Sequence, residues 1–161
     1  MELVTRPVPG FPPVYSPGAV DAILAATACQ PFLLQVLCSV VVEELNRRRW
    51  QEGHPLVDTK EVAAVLPKAA ERAENYFLDV WNSQVPSPAK LLVRQLAHQG
   101  KVPAVDPADD NLVEALLALE RHHILARGPN GFRLVLPLFA EYVRTRQSVG
   151  LGEAVGGSQP E

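Results

Sequence analysis

Cysteine, methionine and aromatic side chains are scarce in this chain: 161 residues include two cysteines, one methionine and 6% aromatics. Cys29 and Cys38, both set in apolar surroundings, lack the even, spaced pattern of a secreted disulfide scaffold, which points to a reducing, cytoplasmic setting. Charge of one sign is lacking too. A formal net charge of -3 gives no global pull toward nucleic acid or an anionic membrane. The opening stretch MELVTRPVPGFPPVY has no basic segment leading into an apolar one, so no signal peptide is expected. A clean apolar run is absent as well. The nearest approach, Ala19 to Val42, is interrupted by Asp21, Gln30, Gln35 and Ser39, and Pro31 would break a spanning helix at mid-depth. No membrane partner is expected.

The usual marks of catalysis are also missing. A phosphate-cradling loop needs a glycine five residues before its Gly-Lys pair, and the only Gly-Lys, Gly100-Lys101, is preceded there by Gln95. Cys29 and Cys38 lie on opposite sides of an expected helix start. His54 falls in an expected loop, and the adjacent His122 and His123 cannot share one helix face, so no metal site is expected. Neither a Gly-x-Ser-x-Gly elbow nor an HExxH pair occurs. The chain alone reads as not an enzyme, with no cofactor of its own.

What is present is a globular composition, 47% hydrophobic and 20% charged, in a length that holds one ordinary domain or two small ones. Pro7, Pro9, Pro12, Pro13 and Pro17 crowd residues 1–17, which read as an extended arm. A first helix is expected from about Gly18 to Ala28. A second opens at Pro31, carries Phe32, Leu33, Val36, Leu37, Val40, Val41 and Leu45 as a broad apolar stripe, and ends in the polar run Asn46 to Arg49. Asp58 with Glu61 three residues on is a capping box for a third helix using Val62, Val65 and Leu66. Pro67 is expected to start a fourth, with Tyr76, Phe77, Val80 and Trp81 as an aromatic face.

After Pro86 the pattern changes. Ser87 and Pro88 suit the cap and first turn of a helix with apolar positions Leu91, Leu92, Leu96 and Ala97. A turn-rich loop, GKVPAVDPADD, precedes a helix from about Asp110 to His123 with Leu112, Leu116 and Leu119 inward. ILAR, GPNG and FRLVL then read as a hairpin, Pro137 opens a last helix, and the Gly/Ser-rich tail after Gln147 is expected to be disordered. Helix, helix, hairpin, helix is the order of a winged helix. The helix from Asp110 would expose Glu114, Glu120 and Arg121, a poor surface for phosphates. Arg127 and Arg133 on the hairpin are the candidate backbone contacts if the domain reads DNA, an alternative ranked below a protein-contact role.

The segments ELVTRPVPGFPPVYSPGAVDAIL, ATACQPFLLQVLCSVVVEELNRRR and DTKEVAAVLPKAAERAENYFLDVW resemble the end of the ATPase core and the helical lid of bacterial AAA/STAND-type NTPases. The stretch from AKLLVRQLAHQG to GFRLVLPLFAEYVRTR is similar to the winged-helix domain that follows that lid. The resemblance implies a mainly α fold: an arm over 1–17, a lid subdomain over 18–85, a winged-helix domain with a short β-hairpin over 86–147, and a tail over 148–161. In that family a Gly-x-Pro turn precedes the lid's long helix, and its proline packs near the adenine. Cys29, Gln30 and Pro31 are the matching positions, with cysteine where the pattern has glycine. The Pro31 joint is expected between two buried helices, with both cysteines as small core residues. By resemblance, ATP/ADP with magnesium would belong to an intact parent whose Walker motifs would precede Met1. The implied partners are its own ATPase core or an effector domain; a homo-oligomer is a further reading.

Overall fold

The computed structural model describes residues 15–52, 56–100, 109–128 and 131–147, with the backbone path alone for 48–52. The fold is mainly α: among the described residues, seven helices and one short antiparallel hairpin. Most of the expected arm and all of the expected tail lie outside the described residues, as does His54. No helix among the described residues is long and apolar enough to cross a membrane.

Prolines set three of the helix starts, because a proline in the first turn loses no hydrogen bond and brings a preset φ. They open α1 (Pro17–Thr27), α2 (Pro31–Glu52) and α7 (Pro137–Arg146). Ser16 caps α1 by accepting from the Ala19 amide at 3.1 Å. The second helix runs past the expected end at Arg49 to Glu52. In α3 (Thr59–Arg72) the capping box is complete: Asp58 accepts from the Lys60 and Glu61 amides, and Glu61 accepts from the Asp58 amide at 2.9 Å.

Pro67 does not start a helix; it sits inside α3. The missing amide leaves the Ala63 carbonyl without its helical donor, a defect tolerated here because Pro67 and Ala63 both lie on the exposed face. The break comes instead at buried Ala73 (φ -90, ψ 12), after which α4 runs from Glu74 to Ser83. Ser87 does not cap either. Residues Ser87–Ala89 form a 3-10 turn without a side-chain cap that leads into α5 (Lys90–Gln99). Helix α6 spans Asp110–Arg121, with Asp109 accepting from the Leu112 amide at 3.1 Å.

Contacts divide the chain into two units, with a boundary between Leu78 and Asp79 inside α4 and with Leu136–Leu138 counted in the first unit. In the first unit α1, α2 and α3 pack together around Ile23, Leu33, Leu37, Val40, Val62, Ala69 and Phe77. An isolated parallel bridge joins Tyr15 to Val57, with the Ser16 amide donating to the Val57 carbonyl at 2.9 Å. Arg72 of α3 clamps Glu43 of α2 through two bonds of 2.5 and 2.8 Å and also donates to Ser39. This clamp holds the Glu43 carboxyl below the usual carboxylate range.

In the second unit α5, α6, α7 and the hairpin enclose Val93, Leu96, Leu116, Leu119, Phe139 and Tyr142. Strands β1 (Leu125–Gly128) and β2 (Gly131–Leu134) pair from Leu125↔Leu134 to Gly128↔Gly131. Lys90 Nζ and the Arg94 guanidinium each lie 5.4 Å from the buried Trp81 ring, a cation-π arrangement that ties α5 to the end of α4.

Burial pushes the Tyr15 phenol up to about 12, with the neighbouring Cys38 adding to the rise. A folded value above the unfolded one means that stability from this group is intact below about pH 10 and is lost as pH rises toward 12. Tyr15→Phe is therefore expected to flatten the alkaline loss of stability over that interval. Urea midpoints recorded at pH 9, 10 and 11 on both proteins check this, and parallel slopes would contradict it.

Candidate functional site

The turn between α1 and α2 holds the three sequence-predicted site residues together. Helix α1 ends in a Schellman arrangement: the Ala28 amide donates to the Ala25 carbonyl at 3.4 Å and the Cys29 amide to the Leu24 carbonyl at 3.2 Å. Two consecutive residues adopt left-handed conformations, Ala28 at φ 46 and Cys29 at φ 58. These are positions where glycine is the usual occupant, because any Cβ there crowds a carbonyl. The Gln30 amide then donates to the Thr27 carbonyl at 3.0 Å, and Pro31 starts α2.

Cys29, Gln30 and Pro31 are all exposed. This corrects the expectation that both cysteines are core residues: Cys29 is at the surface and Cys38 half-buried. The reason is geometric, since a left-handed turn carries the chain out of the packed layer before α2 re-enters it. Phe32, expected in the core stripe of α2, is 49% exposed. Its ring lies 5.3 Å from that of Tyr76, whose hydroxyl donates to Gln30 Oε1 at 2.8 Å. The surface at the turn is thus two aromatic rings, an amide and a thiol. Sequence reasoning assigned Tyr76 to a packing face and missed its bond to Gln30, because the two lie 46 positions apart.

The left-handed turn yields a test. Placing a non-glycine residue there costs about 1–2 kcal/mol, and glycine returns about 0.5–1 kcal/mol of that as unfolded-chain entropy. Cys29→Gly is expected to stabilise the chain by a few tenths to about 1 kcal/mol. A lower urea midpoint for the variant would contradict this.

The alternative site residues are separated by the fold. In the hairpin register Arg127 pairs with Phe132 and Ala126 with Arg133. Cross-strand partners share a face and neighbours along a strand alternate, so Arg127 and Arg133 project from opposite faces. Arg127 is also engaged, bonded to Glu120 at 2.9 Å and stacked 5.4 Å from Phe132. The Glu120 side chain is accordingly only partly exposed, while Glu114 and Arg121 are exposed as expected. Leu91, expected inward on α5, is 53% exposed.

Other polar clusters offer no stronger site. A recess lined by Val41, Glu44, Leu45, Val57, Glu61 and Val65 is small, and its carboxylates serve Arg47 and the α3 cap. Among the described residues no three His, Cys, Asp or Glu side chains converge as metal ligands. Comparison of the chain with protein-family models, with curated proteins and with solved structures found no match.

Proposed function

We propose that this chain is the lid and winged-helix module of a STAND-type signalling ATPase, itself non-catalytic, which relays nucleotide state through interdomain or protein-protein contacts. The observation that carries this reading is the turn at Ala28–Pro31. Cys29 stands where the family pattern has glycine and adopts a glycine-type φ of 58, while Pro31 opens a long exposed-to-buried helix as the pattern's proline does. The rings of Phe32 and Tyr76 with the Gln30 amide form a surface suited to a nucleotide base. No lysine or arginine lies within residues 26–32, so the phosphates and magnesium would be held by the P-loop core. Closure of Cys29, Gln30 and Pro31 over the base would favour one of two arrangements, a shift driven by the difference in contacts between them.

Calorimetric titration with ATP and ADP in the presence of magnesium tests the division of labour. No tight binding by this chain alone is expected, and tight binding would overturn the reading. An antibody against residues 86–147 is expected to detect a native band well above 17.6 kDa. A band at 17.6 kDa would remove the ATPase-tail reading. The DNA-binding alternative has less support, since Arg127 is paired and Arg133 faces the other way. Duplex binding that falls steeply with salt would favour it.

A further inference from the structure

Two arginines of the second unit have carboxylate partners, Arg127 with Glu120 and Arg144 with Glu141. Lys90 and Arg94 have none among the described residues. Both are set against one indole instead: Lys90 Nζ and the Arg94 guanidinium each lie 5.4 Å from the centroid of the buried Trp81 ring. They stand one turn apart on α5, and so on one row of that helix. Their own stretch holds no acid to neutralise them. Between Asp79 and Asp106 the chain has no aspartate or glutamate, in a protein whose formal net charge is -3.

Arg94 carries a second, independent observation. Its Nε is buried and has no hydrogen-bond acceptor, although the residue as a whole is only half-buried. Folded proteins leave few buried donors unmatched, and an ion is one of the partners that complete them. The Trp81 ring attracts the cation but offers no acceptor oxygen. We propose that Lys90 and Arg94 form a binding site for a phosphate monoester group, with Trp81 as the platform that holds both cations in place. Such a group carries about -1.5 to -2 charge at pH 7 and three acceptor oxygens, which match two cations at once. A carboxylate or a phosphodiester carries a single charge and would leave one cation unmatched. Arg94 supplies a planar fork and Lys90 a point charge, a combination suited to a tetrahedral oxyanion. Stacking on the indole orders two flexible side chains before the ligand arrives, which lowers the cost of binding. The site lies wholly within the second unit and does not rest on the nucleotide reading.

Proton–nitrogen correlation spectra of the full chain test the site through the Trp81 indole N–H and the Arg94 Nε–H. A Trp50→Phe variant assigns the indole signal, since the chain has two tryptophans. Both signals are expected to shift saturably on titration with inorganic phosphate at about pH 7.5 and constant ionic strength, with a Kd on the order of 1–10 mM for two charge-assisted contacts at a half-exposed site. Sodium acetate is expected to give no saturable shift. Read at Trp81, Lys90→Gln and Arg94→Gln should each raise the Kd about tenfold or more. Arg94→Lys, which keeps a cation on the ring and loses the fork, should fall between Arg94→Gln and the wild type, separating lost binding from a disturbed ring. Arg121→Gln, which removes an exposed cation of α6, should leave the Kd unchanged. O-phosphoserine distinguishes the source of the group: binding like that of inorganic phosphate assigns a phosphate carried on another molecule, and its exclusion assigns free phosphate, either of which supports the site. No saturable shift with phosphate overturns the proposal, as does an equal response to acetate. Wild-type affinity in Lys90→Gln and Arg94→Gln, or an equal loss in Arg121→Gln, overturns it too.

Discussion

Phe77→Ala is expected to lower the stability of the first unit by about 3–5 kcal/mol, the range for removing a large aromatic side chain from a closed core. The Phe77 ring is fully buried and meets the Tyr76 ring edge-on at 5.4 Å, so both transfer and packing terms are lost. Single domains are stable by only about 5–15 kcal/mol, which makes this a loss of about a fifth of the total or more. The measurement is the urea midpoint at constant slope, since an unchanged slope assigns the shift to stability and not to denatured-state compactness. A change below about 1 kcal/mol would mean that the site collapses around the missing ring, or that the ring is not enclosed.

The second large effect is a contrast between neighbours on one helix. Leu119→Asp places a carboxylate where the side chain is fully buried on α6. Loss of the leucine alone costs about 2–5 kcal/mol, and burial of an unpaired carboxylate adds a further cost of several kcal/mol unless it stays protonated. The second unit is expected to fail to fold at neutral pH. Leu117→Asp, two positions earlier, is expected to stay within about 0.5 kcal/mol of the wild type, because Leu117 already faces solvent. Far-UV circular dichroism and thermal melts on the two variants check the pair. Similar damage from both would contradict the assigned orientation of α6.

Local signals in the sequence were good guides where the structure answers to local rules. Pro31 and Pro137 open their helices because a fixed φ and an absent amide cost nothing in a first turn. Asp58 and Glu61 form their box because both partners lie within four residues. The hairpin forms between the two runs that alternate on either side of GPNG, although residues 129–130 of its turn lie outside the described residues. Pro67 misled for the opposite reason. Its solvent-facing position allows α3 to continue through it, and no nearest-neighbour rule contains that information. Phe32 and Leu91 followed apolar periodicity yet stand largely exposed, since periodicity ranks the faces of a helix without saying how far its neighbours extend.

The candidate site divides along the same line. The positions Cys29, Gln30 and Pro31 were legible as a joint, because a proline after a polar residue interrupts two apolar stretches. That Cys29 is exposed and left-handed was not legible, nor that Gln30 receives a bond from Tyr76. The clamp of Arg72 on Glu43 joins residues 29 positions apart. Its existence depends on the angle at which α2 and α3 meet.

By itself the sequence determined the helical class, the proline and capping-box starts, the terminal hairpin and the absence of a P-loop, all of which rest on patterns within a few residues. Only the tertiary structure decided which side chains of each stripe meet another element. It brought Tyr76 to the turn, set Arg127 and Arg133 on opposite faces, and placed Lys90 and Arg94 against the Trp81 ring. The physical reason is that burial and pairing are properties of two surfaces at once, and a single strip of sequence carries only one of them.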